Sequence, residues 1–181
     1  MLFQRSPFLG LLNFDVLYII TNILLIPFYL ALYAALKSNR EAMVITALVL
    51  GLVGLAIYFP SNTAFEMLKL SEQYPSATTE VQRSILLAEG QMLLAQLNGT
   101  AYVVYYLLSA IAVLLFSAAM LQSKVFSRNT AYAGISAGIL MLVPSSLGMI
   151  GLIFAFVSLL PWAIFSILVS RTLFQLGRNS I

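Results

Sequence analysis

The sequence predicts an all-α protein, a polytopic transmembrane helical bundle of about five spans with one extramembrane amphipathic helical segment. Of its 181 residues, 61% are hydrophobic and 8% are charged, and the mean hydropathy is +0.99. Water-soluble domains carry roughly 25% charged residues, so this chain needs lipid as part of its solvent. Its apolar runs are continuous over about 20 residues, which favours helices over the alternating strands of a membrane barrel.

Five apolar stretches are predicted to cross the bilayer within a single domain, residues 1–181. They cover residues 14–36, 42–59, 92–121, 131–147 and 149–170. Pro27 and Pro161 lie inside the first and fifth spans, where a missing N–H group should kink the helix. The third span is longer than a bilayer requires, so it should tilt or protrude.

The extramembrane segment, residues 60–89, is predicted to form two amphipathic helices separated by Pro75. Thr63 with Glu66, and Thr79 with Gln82, have the spacing of capping boxes. We expect the second helix to continue directly into the third span.

The sequence contains no cysteine and no histidine. This composition excludes disulfides, thiol nucleophiles and the usual zinc, copper and non-haem iron sites. The familiar catalytic and nucleotide-binding motifs are absent too. We therefore expect no cofactor and no metal, and an enzymatic role is uncertain and not favoured. The net charge of +3 comes from basic residues scattered beside the spans, so nucleic-acid binding is not expected.

The positive charges predict how the chain sits in the cell membrane, because short cytoplasmic loops retain lysine and arginine. With five spans, one side receives six basic residues: Lys37, Arg40, Lys124, Arg128, Arg171 and Arg178. The other side receives three: Arg5, Lys69 and Arg83. The count predicts a multi-pass protein with its N-terminus outside and its C-terminus in the cytoplasm.

Small residues mark two predicted helix-packing faces. The second span carries Ala47, Gly51 and Gly54, and the fourth carries Gly134 and Gly138. Such residues let helices approach closely, either within one chain or between two copies of it. We favour packing within the chain.

Polar residues near the outer end of the third span are the candidate ligand-binding site. The set, which includes one residue of the first span, is Asn22, Glu89, Gln96, Asn98, Thr100 and Tyr102. Polar groups at this depth are costly unless they are paired or wet. They would either line a cavity for a small polar or amphiphilic ligand or fix helix register through hydrogen bonds, and we favour register.

Tyrosines are unusually frequent in the apolar spans: Tyr18, Tyr29, Tyr33, Tyr58, Tyr102, Tyr105 and Tyr106. They would stack on a flat apolar ligand such as a pigment or quinone. The alternative, which we favour, is anchoring at the membrane interface and hydrogen bonding between helices.

Three stretches carry a resemblance to a known family: residues 21–36 (TNILLIPFYLALYAAL), 50–91 and 127–177. Together they resemble an uncharacterised family of small prokaryotic multi-spanning membrane proteins, of the class labelled domain of unknown function. The resemblance extends over nearly the whole chain. It implies a bundle of membrane spans, and it implies no activity and no functional residues.

Three functions are compatible with these observations. The favoured one is a non-enzymatic accessory or structural subunit that contacts lipid and packs with a membrane-protein partner or with a second copy of itself. The second is a carrier or binder of a small amphiphilic or lipid-like ligand, because proline-broken helices often line transporter sites. The third, an intramembrane enzyme using Asp15 or Glu89 as acid or base, is the least favoured.

Overall fold

The computed structural model describes residues 6–13 and 16–179. Within them the chain is helical and contains no strand, which confirms the all-α fold class. The α-helices are α1 (Pro7–Asn13), α2 (Val16–Tyr58), α3 (Ala64–Gln73), α4 (Glu80–Leu97), α5 (Thr100–Gln122), α6 (Arg128–Leu140) and α7 (Gly148–Asn179). The predicted start of the first span at residue 14, together with Asp15 and Arg5, lies outside the described residues.

Helix α2 contains the first two predicted spans, joined at a kink. Its one residue with non-helical dihedral angles is Arg40 (φ −157°, ψ 64°), and the helix continues through Pro27. The rings of Tyr18 and Tyr58 lie 5.5 Å apart although they belong to opposite ends of α2. The two limbs therefore fold back on each other as a helical hairpin that turns at Arg40.

Four stretches of the described chain are long and apolar enough to cross a membrane. They are Val16–Ser38, Arg40–Ser76, Glu80–Gln122 and Gly148–Arg178. The remaining predicted span, residues 131–147, is not one continuous helix. Helix α6 has 13 residues and is about 20 Å long, which is less than the hydrocarbon thickness of about 30 Å.

The chain beyond α6 continues through turns over residues 141–147, which we call the turn segment. A Cβ atom on Gly138 would lie 2.6 Å from Leu114 Cγ, and the Ser145 hydroxyl lies 2.9 Å from that of Tyr102. Helix α6 and the turn segment together thus follow α5 along most of its length. That residues 131–147 cross the membrane stays a prediction. The helix in this range ends at Leu140.

Contacts at two levels show that the first limb of α2, α5 and α7 run in the same direction. At the outer level, Tyr18 lies 6.5 Å from Tyr105 of α5, and α7 begins beside the Pro144–Ser145 turn, which contacts Tyr102. The inner level is formed by aromatic side chains. Tyr29 stacks on Phe116 of α5 at 5.8 Å, and Phe28 meets Phe165 of α7 edge-on at 6.4 Å. Beyond this layer each helix continues to its basic residues, and α6 begins at the same end. The structure therefore gathers six positive charges at one end of the bundle, namely Lys37, Arg40, Lys124, Arg128, Arg171 and Arg178.

The small residues singled out in the sequence lie inside the chain's own bundle. Ala47 is fully buried, and a Cβ atom on Gly51 would lie 2.7 Å from the Tyr29 ring. On Gly54 it would lie 3.3 Å from Leu108 Cβ. On Gly134 it would clash with the Ser117 hydroxyl and lie 2.7 Å from the Phe165 ring. These faces are occupied by helices of the same chain.

Two local expectations in the segment before α5 are corrected by the structure. Helix α4 enters the predicted third span but does not run through it without interruption. It ends at Leu97, where the Gly99 amide bonds to the Gln96 carbonyl, and α5 begins at Thr100. The Thr63 hydroxyl does not cap α3 but donates to the Leu93 carbonyl at 3.1 Å, which ties α3 to α4. The second predicted capping box, between Thr79 and Gln82, is confirmed.

We predict that Gly134→Ala lowers the free energy of unfolding by about 1–3 kcal/mol, because the added methyl group overpacks the contact with Ser117 and Phe165. Thermal unfolding of the detergent-solubilised protein measures this change. Gly177→Ala is the matched control, since a Cβ atom there meets nothing within 4 Å. Equal loss of stability in both variants would contradict the packing argument.

Candidate functional site

A cavity of about 300 Å³ lies between the first limb of α2, α5, α7 and the turn segment. Along α5 it extends from Tyr102 to Val113, a rise of about 16 Å. Asn98, in the break between α4 and α5, lies at its outer end. The cavity therefore reaches from the α4 end of the bundle into its interior.

The walls of the cavity are largely aromatic. Trp162, the only tryptophan of the chain, lines it together with six tyrosines: Tyr18, Tyr29, Tyr58, Tyr102, Tyr105 and Tyr106. Of the seven tyrosines noted in the sequence, only Tyr33 is not among the lining residues. Interface anchoring does not account for this convergence on one cavity, since anchoring would place the rings around the outside of the bundle.

No Asp, Glu, Lys or Arg of the described chain lines the cavity, and its polar groups are amides and hydroxyls. A charged ligand would have to leave water without a counter-charge, which is costly in a low-dielectric interior. The lining therefore suits an uncharged molecule with a few hydrogen-bonding atoms.

The candidate residues from the sequence divide into two groups in the structure. Asn22, Asn98 and Tyr102 line the cavity. Glu89, Gln96 and Thr100 are exposed and are not part of its lining. The Gln96 amide instead donates to the Pro60 carbonyl at 3.1 Å, across the outer end of the bundle.

Asn22 is fully buried and links α2 to α5. Its Nδ2 donates to the Tyr18 carbonyl one turn earlier at 2.8 Å, and its Oδ1 accepts from the Tyr105 hydroxyl at 2.9 Å. Both ends of the amide are therefore used. This pairing sets the register of the two helices and holds one wall of the cavity in place.

The turn segment forms the opposite wall through Met141 and Ser145. Turn hydrogen bonds pair its amides: Met141 with Ala137, Leu142 with Ile139, Val143 with Leu140 and Leu147 with Pro144. Irregular backbone is tolerated at membrane depth where it is buried in protein or lines a cavity. The sequence signal for this wall is Pro144-Ser145-Ser146, which lies within the predicted fourth span, residues 131–147.

The hydroxyls of two lining residues, Tyr29 and Ser109, are buried and have no hydrogen-bond partner within the described chain. The residues are 1% and 3% exposed. Buried polar groups in native proteins are nearly always paired, so each exception calls for an explanation. The sequence identified Tyr29 only as one tyrosine among several.

The lining of the cavity reaches the surface of the bundle between the first limb of α2 and α7. The two helices barely pack against each other, and the contact of Phe28 with Phe165 closes the gap at its inner end. Above that contact, Tyr18 and Leu159 line the cavity and are 36% and 58% exposed. In a bilayer this gap would face lipid rather than water.

Comparison with known families matches one model, the domain of unknown function DUF4386, over residues 10–176. The chain belongs to this family. The match confirms the resemblance to an uncharacterised family with no assigned activity. Comparisons with curated proteins and with solved structures gave no match. The cavity of this DUF4386 domain must therefore be interpreted from its own residues.

We predict that Asn22 and Tyr105 stabilise this DUF4386 domain as a pair. In a double-mutant cycle with Asn22→Leu and Tyr105→Phe, the coupling energy should be about 1 kcal/mol, the range measured for hydrogen bonds between membrane helices. Unfolding in detergent gives the four stabilities. Tyr33→Phe replaces Tyr105→Phe in the control cycle, where coupling to Asn22 should vanish. Equal coupling in the two cycles would show that the register does not depend on this bond.

Proposed function

We propose that this DUF4386 protein binds an uncharged, lipid-soluble small molecule in the tyrosine-lined cavity. The observation that carries the proposal is a cavity of about 300 Å³ with aromatic walls, several polar atoms and no charged lining residue in the described chain. Ligand sites in proteins share this make-up, a concave and mostly apolar surface with a few placed polar groups.

The size of the cavity limits what it holds. Sites for drug-sized ligands span about 300–1,000 Å³, so this cavity accommodates a ring or a small head group rather than a whole lipid. A hydrocarbon tail would have to leave through the gap between α2 and α7. A ring with a tail is therefore the shape that the cavity and its side opening support best.

Binding without chemistry is favoured over catalysis. Glu89, one of the two carboxylates considered as acid or base, lies exposed on α4 and outside the lining. The other, Asp15, lies outside the described residues. The cavity therefore contributes amides, hydroxyls and rings, which position a ligand.

The role of accessory or structural subunit, packed with a membrane-protein partner or a second copy, remains a proposal made from the sequence. Large apolar side chains cover the outside of α7, but a bilayer is sufficient to cover them. No feature of the described surface favours a protein partner over lipid.

We further propose that the cavity belongs to the outer half of the membrane, with the N-terminus outside and the C-terminus in the cytoplasm. The six basic residues at the opposite end of the bundle support this orientation, since cytoplasmic loops retain positive charge. The side opening would then face the outer leaflet.

We predict that the protein purified from native membranes carries a bound small molecule, detected by mass spectrometry of a solvent extract. Ala155→Phe should abolish this binding, because Ala155 lines the cavity and a phenyl ring fills it. Leu152→Phe, one turn away and outside the lining, adds a ring to a lipid-facing position and should retain the ligand. Equal recovery from both variants, or none from the unsubstituted protein, would contradict the proposed function.

We predict that Glu80, at the start of α4, and Gln122, at the end of α5, lie on opposite sides of the membrane. The chain has no cysteine, so Glu80→Cys and Gln122→Cys each introduce a single reactive thiol at an exposed position. A membrane-impermeant maleimide should label Glu80→Cys in intact cells and Gln122→Cys only after permeabilisation. The reverse pattern would invert the orientation, and labelling of both from outside would remove the crossing by α5.

A further inference from the structure

We infer that Tyr29 and Ser109 form the recognition site for a carbonyl oxygen, and that the ligand head group is a quinone-type ring. This inference rests on the proposed function and specifies its ligand. It concerns binding only and involves no redox step.

The first argument is the position of the two hydroxyls. Tyr29 projects from α2 and Ser109 from α5, both line the cavity, and both are at least nine-tenths buried. Both side chains pack against the second limb of α2, at glycines one turn apart. A Cβ atom on Gly51 would lie 2.7 Å from the Tyr29 ring, and one on Gly54 would lie 3.5 Å from Ser109 Oγ. The two side chains therefore belong to one subsite in the interior of the cavity.

The second argument is a count of hydrogen atoms. Each hydroxyl has one hydrogen to donate. The two hydroxyls lie near each other, but neither makes a hydrogen bond of acceptable length and angle. A carbonyl oxygen has two lone pairs and no hydrogen, so it accepts from both hydroxyls at once. An alcohol would bring a third hydrogen, which would need one of the two protein hydroxyls as its acceptor. A carbonyl therefore satisfies the subsite completely.

The third argument is the shape of the walls around this subsite. The Tyr29 ring stacks on Phe116, at an angle of 18° and a centroid distance of 5.8 Å, which restricts the position of its hydroxyl. Trp162 and Tyr106 also line the cavity. Aromatic surfaces of this kind suit a flat conjugated ring, which stacks offset or edge-on. A quinone presents its carbonyl oxygen at the edge of such a ring.

Trp162 makes the inference testable in the intact protein, because the single tryptophan of the chain lies on the cavity wall. The experiment titrates 1,4-naphthoquinone into the purified protein in lipid nanodiscs and follows quenching of Trp162 fluorescence. The same titration of Ala155→Phe, whose phenyl ring occupies the cavity, measures the quenching by naphthoquinone that is dissolved in the lipid. Competition by 1,4-dimethylnaphthalene and by 1-naphthol, with recovery of emission, gives their affinities.

We expect naphthoquinone to bind at least about tenfold more tightly than dimethylnaphthalene, which has a similar shape and no oxygen, and more tightly than naphthol. Tyr29→Phe and Ser109→Ala should each weaken naphthoquinone binding by about fivefold and leave dimethylnaphthalene binding unchanged. Ser117→Ala is the matched control, because its hydroxyl is also buried and unpartnered on α5 but lies outside the lining. It should leave both affinities unchanged.

The outcomes separate this inference from the proposed function. If the three compounds bind equally well and both variants bind naphthoquinone normally, the carbonyl subsite is wrong but the cavity still binds rings. Tightest binding of naphthol would also overturn the subsite in favour of an alcohol. If none of the compounds shows saturable binding above the Ala155→Phe baseline, both the subsite and the proposed function fail. Both variants keep most of the side-chain volume, and thermal unfolding checks that each one folds.

Discussion

The structure of this DUF4386 protein depends on one constraint, that backbone amides and carbonyls in hydrocarbon must find partners within the protein. Helices meet it everywhere except at a few positions of the described chain. Arg40 lies at the turn of the helical hairpin and the Asn98–Gly99 break lies between α4 and α5, and both Arg40 and Asn98 are exposed. The turn segment, residues 141–147, is different because it runs beside α5 within the bundle. Its placement against the cavity follows from the constraint, since irregular backbone at that depth needs protein or a cavity around it rather than lipid.

Local sequence explains how the turn segment meets this requirement. Pro144 has no N–H group, so the segment has one donor fewer to pair. Gly148 adopts a left-handed conformation (φ 63°), which allows the chain to turn directly from the segment into α7. Gly151 lets the first turn of α7 lie against the Pro144 carbonyl, because a Cβ atom there would overlap that oxygen. Two glycines and a proline thus allow a non-helical segment at a place where a membrane span would otherwise be helical. The hydroxyl of Ser145 is brought level with Tyr102 as a result.

The sequence was sufficient for the fold class but not for the site, and the difference is physical. Runs of apolar residues and the positions of charges depend on composition along the chain, so the helices and the gathering of basic residues followed from them. Whether a residue lines the cavity depends on which face of its helix it occupies and on which helix packs against that face. Glu89, Gln96 and Thr100 are neighbours of Asn98 in sequence, but their faces of α4 and α5 point away from the cavity. Tyr18, Tyr29 and Tyr105 are distant in sequence and meet only because α2 folds back and packs on α5.

Asn22 differs from the pair Tyr29 and Ser109 in how its polar atoms are used. The polar atoms of Asn22 bond within the protein, whereas the two hydroxyls remain available to a ligand. All three residues are buried in the same bundle, where an unpaired polar group is destabilising. Asn22 uses its donor and its acceptor within the protein, so its contribution to helix register accounts for it. The two hydroxyls contribute nothing to register that a phenylalanine and an alanine would not also contribute, and they leave two hydrogens without acceptors. Both residues line the cavity, so a bound ligand that brings a carbonyl oxygen to the two hydroxyls would supply the acceptor that the protein lacks.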